Sequence, residues 1–239
     1  LENVGTKKTP KFKVELLKTP WGVAPPGGVT PTQLVDWNGD GYQDLIGSPQ
    51  DSAAQPSVTL NLGKGTHGVF GPSQQLQPKG QEIIHKEPYG DPWTYVYVCD
   101  FDGNGVMDLL WADFTGNAYL HRNRGTVKEP KFDTQGEKLM MANGQPIKVG
   151  SPIVPIDQIK DFTVMQGSRA AIAVADFNGD GKNDIVMGDA LGDAFYFANS
   201  GDNSKPLFAT GVHLGRLGSR VKAFPCDWDE DGQLDVLVA

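Results

Sequence analysis

The chain has 239 residues, 38% of them hydrophobic, with 30 Gly and 17 Pro, so it is long enough for a sizeable core and rich in turn formers, as an all-β repeat protein is. A net charge of −8 without a basic patch argues against nucleic-acid binding. No apolar run reaches the length of a bilayer span, and no signal peptide is evident.

In chain order, the first element is a short signature, Asn3-Val-Gly5-Thr6 followed by Pro10-Lys-Phe12. An acidic loop follows, and it recurs three times: Asp36-Trp-Asn38-Gly-Asp40-Gly-Tyr42-Gln-Asp44, Asp100-Phe-Asp102-Gly-Asn104-Gly-Val106-Met-Asp108, Asp176-Phe-Asn178-Gly-Asp180-Gly-Lys182-Asn-Asp184 and Asp227-Trp-Asp229-Glu-Asp231-Gly-Gln233-Leu-Asp235. Oxygen side chains at positions 1, 3, 5 and 9 with Gly at 6 suit a hard cation such as Ca²⁺, up to four ions in all. The carbonyl at position 7 (Tyr42, Val106, Lys182, Gln233) is the expected backbone ligand. Together the loops carry −13, more than the whole chain's excess, and four Ca²⁺ would offset most of it.

An EF-hand needs a bidentate Glu at position 12 and flanking helices. Position 12 here is Gly47, Trp111, Met187 or Val238. The flanks are short runs of strand formers, Tyr95-Val96-Tyr97-Val98 and Ala171-Ile172-Ala173-Val174 before the loop, Leu109-Leu110-Trp111 and Ile185-Val186-Met187 after it. Each loop is therefore expected to join two strands, with the ninth-position Asp taking the role of the missing Glu. The opening signature also recurs after the loops, as Asn61-Leu-Gly63, Asn123-Arg-Gly125-Thr126 with Pro130-Lys-Phe132, and Asn199-Ser-Gly201-Asp202 with Pro206-Leu-Phe208. Constant motifs at varying spacing imply a fixed unit with insertions, and units of this size built from short strands suggest propeller blades.

Loop, apolar strand, Asn-x-Gly-Thr and Pro-x-Phe together resemble the FG-GAP/VCBS repeats of integrin-α-like β-propellers, over nearly the whole chain. The resemblance implies a single domain over 1–239, made of four-stranded antiparallel blades in which the calcium loop links the innermost strand to the next. Asn104 departs from the Asp usual at its position, which points to a weaker second site. Two architectures stay open: about four blades with the terminal blade shared by both chain ends, or a segment of a larger propeller. Cys99 and Cys226 precede equivalent loops in different blades and are expected to be buried thiols without a disulfide.

Loops opposite the calcium sites form the usual ligand face of a propeller. Here they are Thr19 to Thr32, Lys79 to Thr94, Ala142 to Ser168 and Gly215 to Arg220. Trp21, His85, Tyr89 and Trp93 are the candidate contacts, since aromatic faces beside hydrogen-bonding groups suit sugar rings and protein partners. The expected function is a calcium-stabilised, secreted or cell-surface binding module for a carbohydrate or extracellular protein. The alternative is a polysaccharide lyase, with His85 and Tyr89 as base and acid and Lys86 or Arg169 neutralising the uronate. Trp37, Trp111 and Trp228 read as packing residues, and His67, His121 and His213 as structural or solvent-facing.

Overall fold

Strands form where these apolar runs alternate with turn residues, and a computed structural model describes them over residues 2–6, 9–13, 29–49, 55–63, 69–77, 82–83, 95–113, 115–150 and 170–239. The described residues contain no helix. A two-stranded hairpin, β1 (Glu2–Asn3) and β2 (Phe12–Lys13), comes first. Three four-stranded antiparallel sheets follow, each an up-and-down meander. The first comprises β3 (Val29–Val35), β4 (Asp44–Pro49), β5 (Ser57–Asn61) and β6 (Phe70–Gln75). The second comprises β7 (Tyr95–Cys99), β8 (Asp108–Ala112), β9 (Ala118–His121) and β10 (Glu137–Lys138). The third comprises β11 (Ala171–Ala175), β12 (Asp184–Gly188), β13 (Asp193–Phe197) and β14 (Val212–Arg216). The pair β15 (Ala223–Cys226) and β16 (Asp235–Val238) ends the series.

All four acidic loops connect the first strand of a sheet to the second, as their flanks predict. The register is the same in each: Val35 pairs with Asp44, Cys99 with Asp108, Ala175 with Asp184 and Cys226 with Asp235. First strands pack in series, β3 on β7, β7 on β11 and β11 on β15. Because β7, β8, β11 and β12 are covered on both faces, they read as continuous apolar runs and not as alternating ones. Trp37, Ile46, Leu76, Val96, Leu109, Trp111 and Phe132 fill the space between the first and second sheets. Phe101, Leu139, Ile147, Ile172, Met187 and Phe208 fill the next.

Side chains also bond sheet to sheet. Gln33 Nε2 donates to the carbonyl of Val98 at 2.8 Å while its Oε1 accepts that residue's N–H at 2.7 Å. Gln77 treats Phe132 the same way, at 3.0 and 2.8 Å. The segment that leaves the second sheet packs on the third: Phe208 N–H donates to Met140 and Ala142 N–H to Phe208, with Ile147 and Val149 buried.

Trp37 and Trp111 are core residues, as expected. His121 is buried, Nδ1 lying 2.8 Å from the Asp133 carbonyl, and His213 is exposed beside Asp193. Cys99 and Cys226 are unpaired but only half-buried, since each ends a strand at the mouth of its loop. Trp228 departs from its expected packing role: it is 40% exposed, because in the described residues β15 and β16 lack the two outer strands of a full sheet.

Arg122 clamps the second sheet to the third. It is buried, its Nη1 donates to Asp102 at 3.2 Å and its Nη2 to the Ser204 carbonyl at 2.9 Å. Arg122→Ala strands that carboxylate and carbonyl, so a loss of about 3 kcal/mol is expected, against under ~1 kcal/mol for the exposed Arg124→Ala, which loses only a pair with Asp133. Urea midpoints compare the two.

Candidate metal centre

Each acidic loop is wound by its first carboxylate. Asp36 Oδ1 accepts the N–H groups of Gly39 and Asp40 at 2.8 and 3.1 Å, and its Oδ2 accepts that of Gly41 at 2.9 Å. Asp176 repeats all three bonds with Gly179, Asp180 and Gly181. Asp100 and Asp227 collect the N–H groups of positions 5 and 6 at 2.8 to 3.1 Å. The fifth-position oxygen accepts the N–H of position 7, which leaves that residue's carbonyl, not its amide, for other use.

The winding demands left-handed backbone at positions 4 and 6. Gly39 and Gly41 have φ of 74° and 88°, Gly103 and Gly105 the same values, and Gly179 and Gly181 74° and 83°. A glycine at position 4 is thus a conformational requirement that an oxygen-based reading of the loop overlooks. The fourth loop places Glu230 there, at φ 63°, a conformation disfavoured for residues with a Cβ.

The ninth-position Asp ties the loop to the body of the sheet. Asp44, Asp108 and Asp184 are fully buried. Through Oδ1 each accepts a backbone N–H of the recurring asparagine, Asn61 at 2.7 Å, Asn123 at 2.7 Å and Asn199 at 2.8 Å. Through Oδ2, Asp44 and Asp108 accept the N–H of Trp37 and Phe101, while Asp184 takes the hydroxyl of Tyr196. Asn123 then folds its own turn, its Oδ1 accepting the N–H groups of Gly125 and Lys131 at 2.9 Å.

Three carboxylates converge in two of the loops. Oxygens of Asp100, Asp102 and Asp108 lie within 4.8 Å of one another, as do those of Asp227, Asp229 and Asp235. The first and third loops have asparagine at position 3, Asn38 and Asn178, whose amide oxygens accept the N–H of Asp40 and Asp180. Asp102 Oδ1 is buried and accepts no hydrogen bond among the described residues. Burial pushes the Asp108 carboxyl up to about 6, with Asp102 adding to the rise and the Asn123 amide opposing it. Burial raises Asp44 as well, with Asp40 and Asp36 as minor contributors. An oxygen set this crowded, with an orphaned acceptor, fits a hard divalent cation. The residues expected to hold one are Asp36, Asn38, Asp40, Tyr42 and Asp44 in the first loop and their counterparts in the others, with Tyr42, Val106, Lys182 and Gln233 through carbonyls; among the described residues, three carboxylates come together only in the second and fourth loops. Lys182 also sets its ammonium 3.7 Å from Asp180, a partly exposed pair at the third loop.

This loop, buried aspartate and asparagine turn recur as one unit, and a sequence model described as an FG-GAP-like repeat matches residues 36–111 and 161–238. The chain belongs to the FG-GAP-like repeat family. No curated protein compared with this FG-GAP-like chain matches it. A solved structure of an Agrocybe aegerita lectin, described by its specific recognition of non-reducing terminal N-acetylglucosamine, is 19% identical, with a TM-score of 0.46. The alignment covers 86% of this chain and 45% of the lectin, so the chain spans less than half of that protein.

Trp21, His85, Tyr89 and Trp93 lie outside the described residues, as do Lys86, Arg169 and His67. Among those described, a cleft of about 380 Å³ opens beside the first acidic loop, between β6 and residues 127–130. Trp37 and Leu76 form its floor, with Gln74, Gln75, Lys128 and Glu129 around it. Its volume is within the range of small-ligand sites.

Replacing Glu230 by Gly relieves the left-handed strain and should stabilise the metal-free protein by about 1 kcal/mol. Gly179→Ala, at φ 74°, should destabilise by a similar amount. Melting in chelator measures both.

Proposed function

We propose that this FG-GAP-like chain is a calcium-stabilised β-propeller binding module, acting outside the cell and recognising a carbohydrate or an extracellular protein. The observation that supports it best is the convergence of Asp100, Asp102 and Asp108 around an orphaned carboxylate oxygen, in a loop whose backbone is already wound. Two of these carboxylates also organise the fold, so occupancy of the site and stability of the sheet are linked. Extracellular modules with such loops bind calcium at ~10⁻⁴ to 10⁻³ M, which fits calcium levels outside the cell and not inside it. The series of four-stranded meanders packed through their first strands supports the propeller reading. No helix of the described residues is long and apolar enough to cross a membrane.

The ion's role in this reading is structural, because the four loops are built alike and each joins the same two strands. Recognition falls to the loops at the other ends of those strands, where Trp21, His85, Tyr89 and Trp93 supply aromatic and polar groups. No described residue adds a feature that favours the lyase alternative.

Saturating calcium should stabilise the fold by about 2.7 kcal/mol per site at a hundredfold excess over Kd. Melting temperature with and without EGTA measures this, and an unmoved curve refutes the metal assignment. Asp180→Ala should remove one site's share of the calcium-dependent rise. Binding is tested on a glycan panel that includes terminal N-acetylglucosamine, in calcium buffer: retention abolished by Trp93→Ala supports the carbohydrate reading, and silence across the panel moves the search to protein ligands.

A further inference from the structure

The second acidic loop differs from the first and third at its third position, where Asp102 replaces Asn38 and Asn178. The two asparagines are steadied within their own loops, since each Oδ1 accepts the N–H of the fifth residue, Asp40 or Asp180. In the second loop the corresponding N–H, that of Asn104, goes to Asp100 alone. Asp102 thus receives no hydrogen bond from its own loop.

What holds Asp102 is anchored on the third sheet. Its Oδ2 accepts Arg122 Nη1 at 3.2 Å, and the buried guanidinium is fixed in turn by the carbonyls of Ser204 and Asn203, at 2.9 and 3.5 Å. That turn is locked, because Asp202 Oδ1 accepts the Ser204 N–H, the Ser204 hydroxyl and the Lys205 N–H. The backbone of Asp102 is gripped from the same side. Its preceding carbonyl, that of Phe101, accepts Asn183 Nδ2 at 2.9 Å, while the Asn183 N–H donates to Asn203 Oδ1 at 2.7 Å.

This pair of grips belongs to one joint only. The residue before the recurring asparagine is Leu60 in the first sheet and Ala198 in the third, where the second has Arg122. The eighth loop residue is Gln43, Met107 or Leu234 elsewhere, where the third loop has Asn183. With Oδ2 taken by Arg122, Asp102 Oδ1 is the buried oxygen that accepts nothing among the described residues, and the carboxylate lies with those of Asp100 and Asp108.

We infer that Arg122 and Asn183 are positioning residues for a cation in the second loop, fixing Asp102 by side chain and by backbone so that Oδ1 is presented to the ion. The second site is then a product of two sheets, although its expected ligands all come from one. A ligand held in place before the ion arrives loses little freedom on binding, so the grips raise affinity without touching the ion. The inference rests on the calcium reading above and adds the residues that set the strength of one site.

Calcium titration of the full chain labelled with ¹⁵N-glycine tests it. Every loop carries a sixth-position glycine whose N–H donates to the first aspartate, Gly41, Gly105, Gly181 and Gly232, so each amide reports its own loop. Asn183→Ala removes the bond to Phe101 and keeps the backbone bond to Asn203. It should raise the calcium midpoint at Gly105 roughly tenfold while Gly41 and Gly232 keep theirs. Arg122→Lys retains the positive charge but gives up the fork that spans Asp102 and the turn, and should act in the same direction. A Gly105 midpoint equal to the parent's in Asn183→Ala overturns the inference. A common shift of Gly41, Gly105 and Gly232 overturns it as well, since general loosening of the fold would move all three. A parent chain in which no glycine responds to calcium refutes the calcium reading itself, and the inference falls with it.

Discussion

The structure depends on a carboxylate that faces two ways. Asp44, Asp108 and Asp184 each begin the second strand of a sheet, fully buried, and each receives an asparagine N–H fifteen or seventeen residues further on. The other oxygen receives a donor from the acidic loop or, in the third sheet, a tyrosine hydroxyl. One side chain therefore sets the shape of a loop, the start of a strand and the approach of the third strand. Two N–H donors offset only part of the cost of burying the charge, as the raised Asp108 pKa shows. That residual tension is what makes a cation at the loop a folding element under the reading proposed above.

Much of this was legible because the acidic loops place oxygens and glycines at fixed spacing and the strands place apolar runs beside them. The sequence supplied the four loops, the strands on either side, the burial of Trp37 and Trp111 and the absence of a disulfide. It hid whatever depends on long-range partners. The Asn-x-Gly signature is visible as a repeat, but that Asn123 caps Asp108 emerges only once β8 and β9 lie side by side. Arg122 carries no motif and still joins two sheets, because its value lies in the carbonyls of residues 203 and 204. Glu230 looks like one more acid, while its backbone angle marks it as the strained member of its position. Trp228 was misjudged because equivalence in sequence does not supply the neighbour that buries a ring.

Between sheets, the two glutamines do something that packing alone cannot. Gln33 and Gln77 each present a donor and an acceptor to a single residue's carbonyl and amide, so a side chain stands in for a peptide unit and extends the ladder sideways. Sheet-to-sheet attachment then obeys the donor–acceptor code of the strands themselves. Hydrolysis of either amide to a carboxylate would set like oxygens face to face where a donor had been. The joints between the first two sheets therefore rest on two intact side-chain amides, so that a Gln-to-Glu exchange at either position would loosen a seam while every strand kept its own ladder.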